Sequence, residues 1–176
     1  MTTAKEIMTT KVVVVQPHES LRDAAEKMHK EHVSGLPVAD QDHHVYGIVT
    51  EADIMRFLYP FPAAAEGKRS AATGERQNRG LVRWFLESAD YEKNAETYRK
   101  MQSTPVSELM TKTVVSGSPD DGIGHLVRLM QERQINRVPI LDNGRLVGIV
   151  ARSDVVRLAS GGAKKKQTLI PEAGYR

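Results

Sequence analysis

Gly47-Ile48-Val49-Thr50-Glu51-Ala52-Asp53 and Gly148-Ile149-Val150-Ala151-Arg152-Ser153-Asp154 share one pattern: a glycine, two β-branched residues, and an aspartate six positions after the glycine. Working outward, the two neighbourhoods stay in register. Downstream, Arg56 falls on Arg157. Upstream, at an offset of 102 residues, Pro37 falls on Pro139, Met28 on Met130, Pro17 on Pro119, Val12-Val13 on Val114-Val115 and Met8-Thr9 on Met110-Thr111. The offset drops by one residue in the turn before the glycine. So many matches in one order mark two copies of a single unit.

Each copy has the same element pattern. The β-branched runs from Val12 to Val15 and at Val114-Val115 predict a short strand, each followed closely by a proline. Leu21, Ala24, Ala25 and Met28, and Ile123, Leu126, Val127 and Met130, recur at i, i+3, i+4 and i+7, which marks one apolar face of a helix. Ser20 and Asp23 have capping-box spacing. Leu36-Pro37-Val38 and Val138-Pro139-Ile140-Leu141 open a second strand, and Val45 to Val49 and Leu146 to Val150 return as a third. Asn143-Gly144 between them suits the positive φ angles of a tight hairpin. A closing helix carries Ile54, Phe57 and Leu58, or Val155, Val156 and Leu158. The predicted unit is β-α-β-β-α, about fifty residues, too small to be stable alone, so the copies should pack together through their sheets. The fold class expected is α/β (α+β): tandem repeats at 1–59 and 105–160 packed as a pseudo-two-fold pair. A helical insertion at 60–104 separates them and a basic flexible tail at 161–176 follows.

Composition narrows the function classes. The 176 residues are 40% hydrophobic and 27% charged with 13 glycines, which fits a globular protein. There is no cysteine, so disulfides, thiolate zinc sites and a cysteine nucleophile are excluded. No apolar run approaches the about 18–20 residues that span a bilayer, and the N-terminal residues lack the apolar core of a signal peptide. A soluble cytoplasmic protein with no membrane partner is the expectation. The net charge of +3 divides as −3 over residues 1–59, +2 over 60–104, +1 over 105–160 and +3 over 161–176. The excess therefore lies mostly outside the repeats, and Lys164 to Lys166 read as a solvated tail rather than a polyanion-binding arm.

In order and twice over, the Met-Thr openings, the Leu-Pro-Val and Val-Pro-Ile strands and the two glycine-to-aspartate stretches resemble the CBS domain, and the pair resembles a Bateman module. The resemblance covers residues 5–59 and 105–160. It implies a regulatory homodimer whose clefts between repeats bind an adenosine-containing ligand, AMP, ADP, ATP or S-adenosylmethionine, with Mg2+ if the ligand is ATP, and which signals to an unidentified protein. The matching positions assign Thr50 and Asp53 to ribose contact in one site and Ser153 and Asp154 to the ligand in the other. A carboxylate can accept from both ribose hydroxyls. Adenine would lie against Val12, Val13, Leu36 and Pro37, or against Val114, Val115, Val138 and Pro139. Arg137, just before the strand proline, is the phosphate candidate. Gly35 matches it in the other copy and Ala151 matches Thr50, so the two sites should differ.

A structural account competes with this one. Thr-x-x-Asp also begins a helix, the threonine capping it and the acid favouring its dipole. Ala151 has no hydroxyl to cap with, yet Asp154 remains, which favours a ligand role for the acid. Other chemistry finds no support: there is no phosphate loop, dinucleotide glycine motif, serine elbow or activated lysine. His29 and His32, and His43 and His44, lack acidic companions at matching spacing, so no metal site is expected. In the insertion, residues 60–80 read as a mobile loop and 81–101 as helical, with Leu81, Trp84, Phe85, Tyr91, Ala95, Tyr98 and Met101 near helical spacing. That segment should pack on the module or across a dimer. Arg69, Arg76, Arg79 and Arg83 have no interleaved aromatic platform, which argues against nucleic acid. The alternatives kept open are an interaction module with empty clefts and, more weakly, polynucleotide binding by the insertion and tail.

Overall fold

The computed structural model describes residues 2–58 and 95–161. In chain order they form α1 (Ala4–Ile7), α2 (Leu21–Lys30), β1 (Gly35–Ala39), β2 (Val45–Thr50), α3 (Glu51–Leu58), α4 (Ala95–Ser103), α5 (Val106–Leu109), α6 (Ile123–Glu132), β3 (Arg137–Asp142), β4 (Arg145–Ala151) and α7 (Arg152–Ala159). The expected loop at 60–80, the arginines and aromatic residues of 69–91, and Lys164 to Lys166 lie outside the described residues. Among the described residues no helix is long and apolar enough to cross a membrane.

The repeated helices form where the apolar spacing predicts them. In α2, Leu21, Ala24, Ala25 and Met28 are all buried. The Ser20 hydroxyl accepts from the Asp23 N–H at 3.1 Å and the Asp23 carboxylate accepts from the Ser20 N–H at 3.0 Å, the reciprocal cap that satisfies two orphan donors. In α6, Leu126 and Met130 are buried. β1 pairs antiparallel with β2, Gly35 opposite Thr50, and β3 with β4, Arg137 opposite Ala151. Asn143 and Gly144 turn the second hairpin at φ 48° and 79°. Each hairpin has a bulge that leaves Tyr46 or Val147 as the extra residue before the motif glycine.

The predicted first strand is replaced by a single rung, at Val15 in the first copy and at Gly117, beyond the expected Val114-Val115 run, in the second. Val15 donates to the Pro37 carbonyl and accepts from the Ala39 N–H, and Gly117 does the same with Pro139 and Leu141, in the parallel sense. The next rung back would need an N–H from Pro37 or Pro139, and the next rung forward one from Pro17 or Pro119. Proline has none, so the ladder stops on both sides.

Two short helices absent from the predicted pattern open the repeats, and each belongs to the other repeat's core. α1 places Ala4, with Ile7 and Met8, in the cluster of Leu126, Met130, Val138, Ile140 and Val150. α5 places Val106, with Leu109 and Met110, in the cluster of Leu21, Met28, Leu36, Val38, Val49 and Ile54. Thr9 then exchanges both backbone hydrogen bonds with Ile149, at 2.9 and 3.0 Å, and Thr111 does so with Ile48, at 2.9 and 3.1 Å. The crossing explains the pairing of two motifs. A Cβ on Gly47 would come within 2.6 Å of the Met110 sulfur and 2.9 Å of the Thr111 carbonyl, and one on Gly148 would overlap Met8. The glycine of each hairpin is the seat for the methionine that opens the opposite repeat.

α4, the described end of the insertion, packs on α2 of the module. Met101 is buried in the first core, and Tyr98 lies beneath the Arg22 guanidinium, 4.7 Å from ring centroid to Cζ.

Candidate functional site

β2 delivers Thr50 and β4 delivers Ala151 to the heads of α3 and α7, and an aspartate sits one turn into each helix. Asp53 and Asp154 are each only 6% exposed, so their oxygens must find partners inside the protein. One Asp53 oxygen accepts from the Thr50 N–H at 2.8 Å and the Thr50 hydroxyl at 2.6 Å. The other pairs with Arg56. Asp154 accepts from the Ala151 N–H at 2.8 Å and from Arg157 at 2.6 Å. The absence of a hydroxyl at Ala151 therefore does not leave Asp154 without structural work, and the expected argument from that absence for a ligand role does not stand.

Arg56 and Arg157 are the residues that sequence reasoning passed over. Asp-x-x-Arg occurs in both copies at the i, i+3 spacing that lets side chains meet on a helix, and that signal was available. The two arginines differ in freedom: the Arg56 side chain is 57% exposed and the Arg157 side chain 28%.

The two corners are joined by Arg137. It opens β3 opposite Ala151, and its Nη2 donates to Ser34 Oγ of the first repeat at 2.6 Å. Its guanidinium occupies the space that a Cβ on Gly35 would need. Gly35 does remove a charge from its own repeat, and the vacated space holds the charge of the other. The link to Ser34 could not be read from the sequence, since it spans 103 residues and follows no spacing rule.

Leu36 and Pro37 are buried in β1, and Val138 and Pro139 in β3. Val12, Val13, Val114 and Val115 are half-buried on the extended segments before the single rungs, Val13 against the first core. Ser153 is exposed on α7. Thr50, Asp53, Ala151, Asp154 and Arg137 are thus gathered around the strand ends, while the apolar candidates stay on the strands and segments behind them.

The first hairpin turn corrects one expectation. Asp40, Asp42 and His44 bring their ligand-capable atoms within 4.8 Å of one another, so His44 does have acidic companions. Asp40 is committed to the turn: one oxygen accepts from the Asp42 and His44 N–H groups, both at 2.9 Å, and the other from the Tyr46 hydroxyl at 2.9 Å. The His44 backbone N–H holds the Asp40 carboxyl below its ordinary value, and donation to Asp40 pushes the Tyr46 phenol up.

The family model for the CBS domain matches residues 4–60 and 106–161, and the chain belongs to the CBS domain family. It is 30% identical over 155 residues to the CBS domain-containing protein YhcV of Bacillus subtilis, covering 88% of this chain and 84% of that one. Among solved structures it resembles the CBS domain of a CBS domain-containing membrane protein from Sphaerobacter thermophilus, with 27% identity, a TM-score of 0.67, and coverage of 90% of this chain and 88% of that one. It shares its fold with CBSX2, solved in complex with AMP, at 24% identity and a TM-score of 0.63 over 92% of this chain and 98% of that one; CBSX2 is a chloroplastic protein of Arabidopsis thaliana.

Proposed function

We propose that the protein is a regulatory module that binds an adenosine-containing ligand in the clefts between its repeats, catalyses no reaction itself, and signals to a partner protein by a change in how the repeats sit. The observation that carries this reading is the arrangement at the strand ends, where each hairpin leads into a helix with a buried carboxylate and Arg137 of the second repeat reaches Ser34 of the first. The AMP complex of CBSX2, a protein of the same fold, supports the choice of ligand class. Ribose hydroxyls would donate to Asp53 and Asp154, adenine would lie along Leu36-Pro37 or Val138-Pro139, and a phosphate would meet Arg137. Access to the Asp53 oxygen requires Arg56 to leave. Its side chain is 57% exposed and can return to water, and the ribose hydroxyls would replace it as donors to the buried carboxylate. Ligand binding that favours one arrangement of the repeats shifts the population toward it, and a partner reads the shift. The module works in the cytoplasm as a homodimer, and Val156, 61% exposed on α7, belongs to the apolar surface a second copy would cover.

The test is thermal denaturation with AMP, ADP, ATP with Mg2+, and S-adenosylmethionine. A ligand at a hundred times its Kd stabilises the fold by about 2.7 kcal/mol, which for a chain of this size raises Tm by about 5–10 °C. No rise with any of them removes the reading. A second reading, an interaction module with empty clefts, is favoured by one observation: both aspartates already have local partners. Partner capture that ignores nucleotide and survives Asp53→Ala would establish it.

A further inference from the structure

The segment on which adenine would lie runs into the single rung in each repeat, Val12 to Val15 in the first and Val114 to Gly117 in the second. In the first repeat it is held on both sides of the rung. The Gln16 N–H donates to a Glu19 carboxylate oxygen at 2.7 Å. Lys27 Nζ, reaching across from α2, donates to the two Glu19 oxygens at 2.7 and 2.8 Å and to the Val14 carbonyl at 3.2 Å. One lysine therefore ties the residue before the rung to the residue after it. The pair of Lys27 and Glu19 is half-buried, so salt and water weaken it less than they would a surface pair. The second repeat keeps only half of this arrangement. Ser118 and Asp121 stand where Gln16 and Glu19 do, and the Ser118 N–H donates to the Asp121 carboxylate at 2.7 Å. Leu129 stands where Lys27 does, and its side chain has no donor to offer the Ser116 carbonyl. The rung residue is Gly117 in place of Val15, and glycine leaves the backbone more conformations to lose.

Resting on the nucleotide-cleft reading above, we infer that Lys27, clamped by Glu19, is a positioning residue that presets the Val12 to Val15 wall, so that the cleft of the first repeat takes an adenosine ligand more tightly than the cleft of the second. Lys27 acts through the Val14 backbone. A wall already in place leaves less to immobilise when the ligand arrives, and giving up that order costs about threefold to tenfold in affinity.

Titration calorimetry of the full chain with AMP tests this. Wild type should show a tight event that Asp53→Ala abolishes and Asp154→Ala leaves in place. Lys27→Leu, which copies the second repeat, should weaken that event about threefold to tenfold, and Lys27→Arg should recover most of the loss. Glu19→Gln, which keeps an acceptor for the Gln16 N–H and gives up the ion pair, should weaken it in the same direction and serves if Lys27→Leu does not fold. A weaker event that Asp154→Ala removes should be the same in Lys27→Leu as in wild type, which a general loosening of the fold would not spare. Equal affinity at the two clefts, or a tight event that Asp154→Ala removes instead, overturns the inference while the cleft reading stands. So does a tight event unmoved by both Lys27→Leu and Glu19→Gln, or a loss shared equally by the two clefts. No binding of AMP removes both.

Discussion

A carboxylate that caps a helix and one that grips a ribose use the same oxygens, so substitutions at Asp53 act on two properties at once. Asp53→Ala strips the Thr50 N–H and hydroxyl of a buried acceptor and should cost about 1–3 kcal/mol in the ligand-free protein. It should also lose most of the AMP-induced rise in Tm. Arg56→Ala removes one partner of the buried Asp53 carboxylate and should cost about 1–3 kcal/mol in the ligand-free protein, while leaving the AMP response intact or stronger. Scanning fluorimetry with and without AMP separates the effects, and a full AMP response in Asp53→Ala would take the ribose role from that residue. Ser20 gives a test free of the site. Its hydroxyl holds the Asp23 carboxyl below the ordinary 3.8, so the folded protein protonates Asp23 at lower pH than the unfolded chain does. The stabilisation is complete above that value and is lost as pH falls through the folded-state one. Ser20→Ala should cost about 1 kcal/mol by denaturant unfolding at pH 7, with a gap that narrows below pH 4.

At the scale of elements, the two methionine seats are not equal. An added methyl at Gly47 meets the backbone carbonyl of Thr111 at 2.9 Å as well as the Met110 side chain, whereas at Gly148 the three nearest atoms all belong to the Met8 side chain, whose thioether end can move aside. Gly47→Ala should therefore destabilise by about 1–3 kcal/mol and Gly148→Ala by clearly less, as read from denaturant midpoints. Equal losses would mean that the backbone contact does not matter. The helices and hairpins could be read in advance because each is governed by neighbours in sequence: the apolar face of α2, the Ser20 cap, the Asn143-Gly144 turn. The first strand was misjudged because its β-branched run is real, while its partner's N–H groups are set by Pro37 and Pro139 far along the chain. At the candidate site, the Asp-x-x-Arg pairs were within reach of a spacing rule and Ser34 with Arg137 was not.

Across the whole molecule, the crossed openings decide how stability is shared. Because Ala4 is buried in the second core and Thr9 bonds Ile149, deleting residues 2–9 should loosen the second repeat, far away in sequence, more than the first. Hydrogen exchange followed by mass spectrometry should show faster exchange in α6, β3 and β4 with α2 and β1 much less affected. Loosening confined to the first repeat would contradict the crossing. The repeat itself was visible from the glycine-to-aspartate stretches, but the ownership of Met8 and Met110 was not, since each motif gives its own position and says nothing of which glycine it covers. This exchange has a consequence for ancestry. A gene segment carrying one repeat would leave behind a helix that its core needs and carry off one that belongs elsewhere. The smallest piece that recombination can move without breaking a core is the pair, and that is reason enough for the two copies to have been inherited together.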